Sequence, residues 1–353
     1  MAIVINGSGT VTGLSVGGLP DGTVDEGTLA TDSVTAAKIP ASLENTFVSG
    51  RKNIFINGDF SVNQRGLTTS AVTATNGAYN IDRLANYIVG VGAQVALGSE
   101  ELIGGTYETP VKYTVNSAAS GRLGALQKVE KWYKGQTVIM SAWVKSNNAN
   151  ARLRIYDGSN EFYSSTHTGG GAWEKLTATG TLATNAGQLY CYLFIVDGSG
   201  GSVTLTTNDY IHIAKYQLEL GSTATDFEHR SYGEELALCQ RYFQTISFRS
   251  AWGSGVGKVR SSSGTAFTMV KFLNTMRVLP STITAPTVGQ SSGNITYLNG
   301  ENWPSTHGSL NATEASVDSC FFNLTGFSNI GSIGDATWAY VNGTAIFYFD
   351  SEL

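Results

Sequence analysis

Between residues 137 and 220 one local pattern keeps returning: a short run rich in Val, Ile, Tyr, Phe and Thr, closed by a turn of Gly, Asn, Ser or Asp. The runs are TVIMSAWVKS (137–146), ARLRIYDG (151–158), EKLTATGTL (174–182), QLYCYLFIVDG (188–198) and DYIHIAKYQLEL (209–220). The turns between them include Ser146-Asn147-Asn148, Asp157-Gly158-Ser159, Gly169-Gly170-Gly171 and Gly198-Ser199-Gly200-Gly201. Such spacing predicts antiparallel strands. Parallel strands would need long helical crossovers, and no run here is long enough to supply them. Composition agrees: the chain has 42 glycines and 14% charged residues, whereas long helices draw on Glu, Lys, Ala and Leu. Six prolines are too few for a polyproline stalk.

Residues 1–50 differ from the rest, with Phe47 their only aromatic. Leu14, Leu19, Val24, Leu29, Val34 and Ile39 recur at every fifth position. That period matches neither helix nor strand. It predicts an extended or solenoid-like ribbon with one apolar side chain per turn. A ribbon of this kind has too little surface of its own to offset its ordering entropy, so it needs partners. The opening MAIVINGSGTVTG has neither the basic flank nor the long apolar run of a secretory leader. The expectation is therefore synthesis in a reducing cytosol.

After 51 the reading is a β-domain over 51–230, opening with a strand at NIFINGDF (53–60). A helix follows over 231–243, SYGEELALCQRYF, with Ser231 and Glu234 at capping-box spacing and Tyr232, Leu236, Cys239 and Phe243 on one face. It is expected to link the first β-domain to a second, smaller sandwich over 244–353. Strands there are TAFTMVKFL (265–273), SVDSCFFNL (316–324), TWAYVNGT (337–344) and AIFYFDSEL (345–353).

Several of these segments together are similar to a bacteriophage tail-fibre family. RKNIFINGDFSVNQRG (51–66) resembles the opening of a common fibre domain, and IDRLANY (81–87) resembles the motif that follows it, with Leu84 where Trp is usual. SAWVKS (141–146) and YQLELGSTATDFEHRSYGEELALCQRYF (216–243) resemble its body and exit. VKFLNTMRVLPSTITA (270–285) and IFYFDSEL (346–353) resemble the family's end segments, and GTVDEGTLATDSVTAAKI (22–39) its N-terminal anchors. The resemblance implies a carbohydrate-binding-module-like jelly roll over 51–230, a β-sandwich tip and a homotrimeric fibre. It also leaves room for a structural Ca²⁺ near Asp59 and Asp226, although the residues themselves require no cofactor.

Catalytic and metal signatures are missing from the sequence. His167, His212, His229 and His307 pair neither with one another nor with cysteine at metal-ligand spacing. No G-x-S-x-G elbow, Walker A loop or H-E-x-x-H occurs. Cys191, Cys239 and Cys320 are odd in number and far apart, which suits buried apolar roles better than a disulfide scaffold. With a net charge of −5 and no basic run, nucleic acid is not an expected partner. No apolar stretch is long enough to predict membrane insertion.

Aromatic side chains are the candidate ligand contacts, because sugar rings stack an apolar face on an aromatic one. If Leu153 and Ile155 face the core, Arg152, Arg154 and Tyr156 line the other face of the sheet. Tyr190, Tyr192 and Trp143 are expected to join Arg154 and Tyr156 there, and Trp252, Trp303 and Trp338 are the alternatives in the C-terminal region. The expected function is a non-enzymatic virion fibre, assembled in the bacterial host cytoplasm. Its N-terminal 1–50 would hold a phage tail, collar or head protein, while its β-domains adhere to host-surface glycan. The competing readings are a structural appendage without receptor binding and a polysaccharide depolymerase.

Overall fold

The computed structural model describes residues 4–5, 11–12, 51–249, 256–261, 265–288, 294–298, 309–327, 335–341 and 344–352. The six aliphatic positions of the N-terminal ribbon, and Trp252, Trp303 and His307, lie outside them. The chain forms two compact units, Met1–Arg51 and Lys52–Leu353. In the first, Val4–Ile5 pairs antiparallel with Val11–Thr12. The second is mainly β, with one helix among its described residues. No helix among the described residues is long and apolar enough to cross a membrane.

Residues 72–220 build two antiparallel sheets packed face to face. The first runs, in spatial order, Glu161–Tyr163, Ala151–Tyr156, Tyr190–Ile195, Ala119–Lys128, Leu84–Val89 and Tyr79–Ile81, with Val203–Leu205 also paired to Ala119–Lys128. The second runs Trp173–Thr181, Thr137–Ser146, Tyr210–Leu220, Val111–Ser117, Gly92–Leu97 and Val72–Thr73. Alternation sets what each strand buries. Leu153, Ile155, Cys191, Leu193 and Ile195 from the first sheet meet Val138, Met140, Ala142, Val144, Ile211 and Ile213 from the second in one apolar core. Leu84, the departure in the IDRLANY motif, is part of that core.

The segment 53–60 is not a strand. It is a buried irregular stretch, because its asparagines bond the backbone in place of a ladder. Asn53 Oδ1 accepts from Phe55 N at 3.0 Å and Leu218 N at 3.2 Å. Asn57, in the left-handed region at φ 60°, donates to Val62 O and Asp82 O and accepts from Val62 N. Gly58 lets this segment close on the neighbouring strand, since a Cβ there would lie 2.1 Å from Tyr216 O.

The helix spans Tyr232–Gln240 and is capped by Ser231, whose hydroxyl accepts from Glu234 N. Its buried positions differ from the expected stripe. Tyr232 is exposed, while Glu235, Cys239 and Gln240 are buried. A charged position faces inward because Glu235 pairs with Arg230 at 3.2 Å and accepts the Asn57 N–H. The helix is thus packed onto the irregular segment and is more than a connector.

Beyond it, Phe243–Arg249, Thr344–Asp350 and Thr282–Thr284 form one sheet. A second contains Ile295–Leu298, Ala336–Val341, Val256–Ser261, Thr265–Lys271, Ser319–Thr325 and Ser309–Ala315. Trp338 belongs to the Ala336–Val341 strand. Phe322, Phe347 and Phe349 anchor a second core shared by these two sheets. All three cysteines are free and buried, and burial pushes the Cys320 thiol up to about 11.

Candidate functional site

The predicted site residues fall on opposite outer faces of the sandwich. Arg154, Tyr156, Tyr190 and Tyr192 lie together on the first sheet. Cross-strand register sets Arg154 beside Tyr192 and Tyr156 beside Tyr190. Tyr192 continues to Leu126 on the next strand, and Tyr190 to Lys128. Trp143 does not join them, because its strand belongs to the second sheet. Alternation places a side chain on an outer face, but does not choose the sheet.

The tyrosine face is largely covered by its own arginines. The Arg154 guanidinium lies 3.9 Å from the Tyr192 ring centroid, and Arg152 lies 4.4 Å from that of Tyr163. Arg154 is held by Glu161 at 3.0 Å. Tyr192 and Arg154 are consequently buried, and burial pushes the Tyr192 phenol up to about 12 despite the opposing arginine. Tyr156 and Tyr190 stay half-buried at the edge of this packed layer. An open stacking platform is therefore not what this cluster offers.

On the other face, a cavity of about 310 Å³ surrounds Trp143. Its position has a local cause. The Thr137–Ser146 and Tyr210–Leu220 strands shift register between Ser141 and Trp143. Ser141 faces Gln217 and Trp143 faces Ala214, so Lys215 and Tyr216 together oppose Ala142. The bulge puts Lys215 in the left-handed region at φ 50°; bulges commonly re-aim a side chain in this way. Lys215 Nζ then donates to Ile103 O at 2.6 Å and Gly104 O at 3.3 Å. It also lies 3.5 Å from Glu108 Oε1.

Those contacts fix the Glu101–Ile103 and Thr106–Glu108 hairpin over the sheet. At its other end Glu101 receives Lys145 Nζ and Trp173 Nε1, both at 3.0 Å. Gly104 at the turn has φ +56°, and a Cβ there would lie 2.6 Å from the Trp143 indole. Glycine is needed on both counts.

The cavity therefore has an apolar wall of Trp143 and Phe227 and a polar rim of Thr106, Ser141, Lys175, Thr225, Asp226 and His229. His229 Nε2 is 3.6 Å from Glu108 Oε1, and its ring meets Phe227 edge-on at 4.8 Å. Lys175 Nζ donates to Thr225 O at 3.1 Å. Sequence reasoning named Trp143 but not Lys175, Lys215, Thr225 or Phe227 as its companions. One signal was present: the inward apolar positions of the 210–220 strand step from Ile211 and Ile213 to Tyr216 and Leu218, and the odd step marks the bulge.

The family resemblance allows a calcium near Asp59 and Asp226, and among the described residues these two gather no further acidic, histidine or cysteine side chains about them. Asp59 Oδ1 accepts Ser61 N–H at 3.1 Å, and Asp226 stands at the rim of the Trp143 cavity. No group of three or more His, Cys, Asp or Glu gathers as a metal site among the described residues. His167 is buried in a turn, accepting Gly169 N–H at Nδ1.

No family model matches the chain, and no curated protein matches it. Among solved structures, it is similar to the enzymatically active domain of tailspike protein 4 of bacteriophage CBA120. That match covers 48% of this chain and 21% of the other, at 12% identity and a TM-score of 0.34. It is also similar to the N-terminal CBM22 and GH10 modules of a Clostridium thermocellum endo-1,4-β-D-xylanase complexed with xylohexaose. There the match covers 51% of this chain and 30% of the other, at 15% identity and a TM-score of 0.28. A tandem CBM22 domain from Paenibacillus barcinonensis matches over 80% of this chain and 96% of its own, at 14% identity and a TM-score of 0.27. The chain thus spans 21% and 30% of the lengths of the first two proteins.

Proposed function

We propose that this chain is a non-catalytic fibre subunit of a phage virion that adheres to host-surface glycan through its first β-sandwich. In this reading residues 1–50 attach a homotrimer to a tail, collar or head protein, and the jelly-roll domain and C-terminal sandwich project from the particle. The observation that carries adhesion is the Trp143 cavity. An indole wall opposite hydroxyl, ammonium, imidazole and carboxylate groups meets the two demands of a sugar, an apolar ring face and a girdle of hydroxyls. The fibre assignment is supported by the motifs at 22–39, 51–66 and 216–243. A three-fold assembly would join shallow sites, raising avidity by factors on the order of 10²–10⁴ without stronger single contacts.

The test is binding of the fluorescently labelled full chain to susceptible and resistant bacteria, with purified surface polysaccharide as competitor. Selective binding that the polysaccharide abolishes, and that Trp143→Ala removes from a folded protein, is the expected result. A folded protein that binds neither cells nor polysaccharide would leave a structural appendage as the better description. Loss of polysaccharide viscosity on incubation would instead make it a depolymerase.

A further inference from the structure

Resting on that reading, we infer that the Trp143 cavity takes a single uncharged pyranose, or the neutral end of a glycan chain, and discriminates against sugars bearing a carboxylate or phosphate. Size gives the first part. At about 310 Å³ the cavity sits at the lower limit of the roughly 300–1,000 Å³ usual for ligand sites. The Gly104–Gly105 turn forms one wall and the Thr225–His229 segment another. That volume suits one ring unit better than an extended chain lying across the sheet.

Charge gives the second part. Two ammonium groups line the cavity, those of Lys175 and Lys215. Lys215 does not greet a ligand: it is 6% exposed, and its three donors face Ile103 O, Gly104 O and Glu108. Its charge is matched by Glu108, itself 7% exposed. Glu108 in turn receives the Thr106 hydroxyl. Lys175 stands exposed at the mouth, already donating to Thr225 O, and Asp226 is an exposed residue of the same rim.

Glu108, behind the lining, answers the Lys215 charge, which leaves Lys175, Asp226 and His229 as the ionisable groups of the rim. An anionic sugar would have to desolvate its charge beside Asp226, with Lys175 already donating to Thr225 O and His229 already set beside Glu108, and an imperfectly paired charge is costly to bury. A neutral ring meets no such cost. Its apolar face lies on Trp143, while vicinal hydroxyls donate to the acceptor-only Asp226 carboxylate and accept from Lys175. Aromatic stacking with hydrogen bonds to a carboxylate demands hydroxyls as donors, which selects a sugar over an apolar ligand.

The experiment is ligand-observed NMR on the full chain with methyl glycosides of neutral hexoses and of the matching hexuronic acids, at neutral pH and low salt. Saturable binding of at least one neutral glycoside is expected, with its uronate about tenfold weaker or worse. Asp226→Asn, an exposed change that leaves the core untouched, should narrow that gap by strengthening uronate binding. A uronate that binds as well as its neutral partner overturns the charge inference while leaving glycan adhesion standing. Failure of every monosaccharide up to its solubility limit overturns the cavity as a sugar site. Cell binding that survives Trp143→Ala would then show that adhesion lies elsewhere on the chain.

Discussion

Arg83 and Glu352, 269 positions apart, form a buried ion pair. The side chains are 2% and 5% exposed. Arg83 N also donates to Glu352 Oε1 at 3.2 Å, and the guanidinium lies 3.5 Å from the Tyr242 ring centroid. Arg65 adds a second guanidinium, 3.0 Å from Asp350 and 3.4 Å from Glu352. The first β-region is thereby tied to the end of Thr344–Asp350, the central strand of its three-stranded sheet. Removing Glu352 leaves the Arg83 charge buried without its carboxylate, which typically costs about 3–5 kcal/mol. Glu352→Ala should lower stability in urea by that order, whereas Arg83→Met with Glu352→Leu should recover part of the loss. A loss below about 1 kcal/mol for Glu352→Ala would mean that the pair is solvated in solution.

Two titrating groups, Asp82 buried and His212 half-buried, should give opposite pH slopes. Burial pushes the Asp82 carboxyl up to about 6, against the pull of its bonds from Gln64 and of Arg65. It therefore favours folding when protonated, and that contribution disappears as pH rises from about 4 through 6. Burial, then Lys112 and Lys145, pushes His212 down to about 4. Its contribution exists above about 6.5 and disappears as pH falls towards 4. Each shift corresponds to about 2–3 kcal/mol at most, with His212 at the lower end because it is partly exposed. Relative to the parent, Asp82→Asn should lose more stability on acidification from pH 6.5 to 4, and His212→Gln should lose less. Urea midpoints at the two pH values decide this; parallel changes in all three proteins would contradict both assignments.

Much of the strand pattern was legible because alternation is a local signal. The predicted runs at 137–146, 151–158 and 209–220 contain the observed strands Thr137–Ser146, Ala151–Tyr156 and Tyr210–Leu220. The segment 53–60 misled because Ile54, Phe55 and Ile56 look like strand residues, while Asn53 and Asn57 satisfy the backbone through side chains. At the candidate site, the outward positions of Arg154 and Tyr156 followed from period two. Which sheet carried each did not, since pairing joins strands distant in sequence. Nor does residue type reveal that Arg154 would cover Tyr192 rather than leave its ring open.

The packed tyrosine layer depends on Gly124. On its two sides stand Phe194 and Tyr87, paired with it in register. Their rings meet across it at 5.8 Å. A Cβ at this position would lie 2.2 Å from Leu193 O and 2.6 Å from Phe194 Cα. Backbone cannot yield as a side-chain tip can, so Gly124→Ala should destabilise by at least the ~1–3 kcal/mol of ordinary overpacking. Gly187→Ala is the control, since nothing lies within 4 Å of its added Cβ. Equal urea midpoints for the two variants would rule out the close approach at Gly124.

Lys215 is predicted to act on the Trp143 cavity by positioning its wall. The ammonium bonds Ile103 O and Gly104 O from beneath, and Gly104 abuts the indole. Lys215→Met retains much of the apolar stem but leaves two carbonyls and Glu108 without their cation. The hairpin should then open, so that hydrogen exchange at Thr106 and its neighbours quickens while the sandwich core stays protected. Any neutral glycoside bound by the parent should bind about tenfold or more weakly, a loss of roughly 1.4 kcal/mol. Lys215→Arg, which keeps the charge and donors, should restore part of both readouts. If Lys215→Met weakens binding without changing exchange in the hairpin, the lysine contacts the ligand and the positioning role fails.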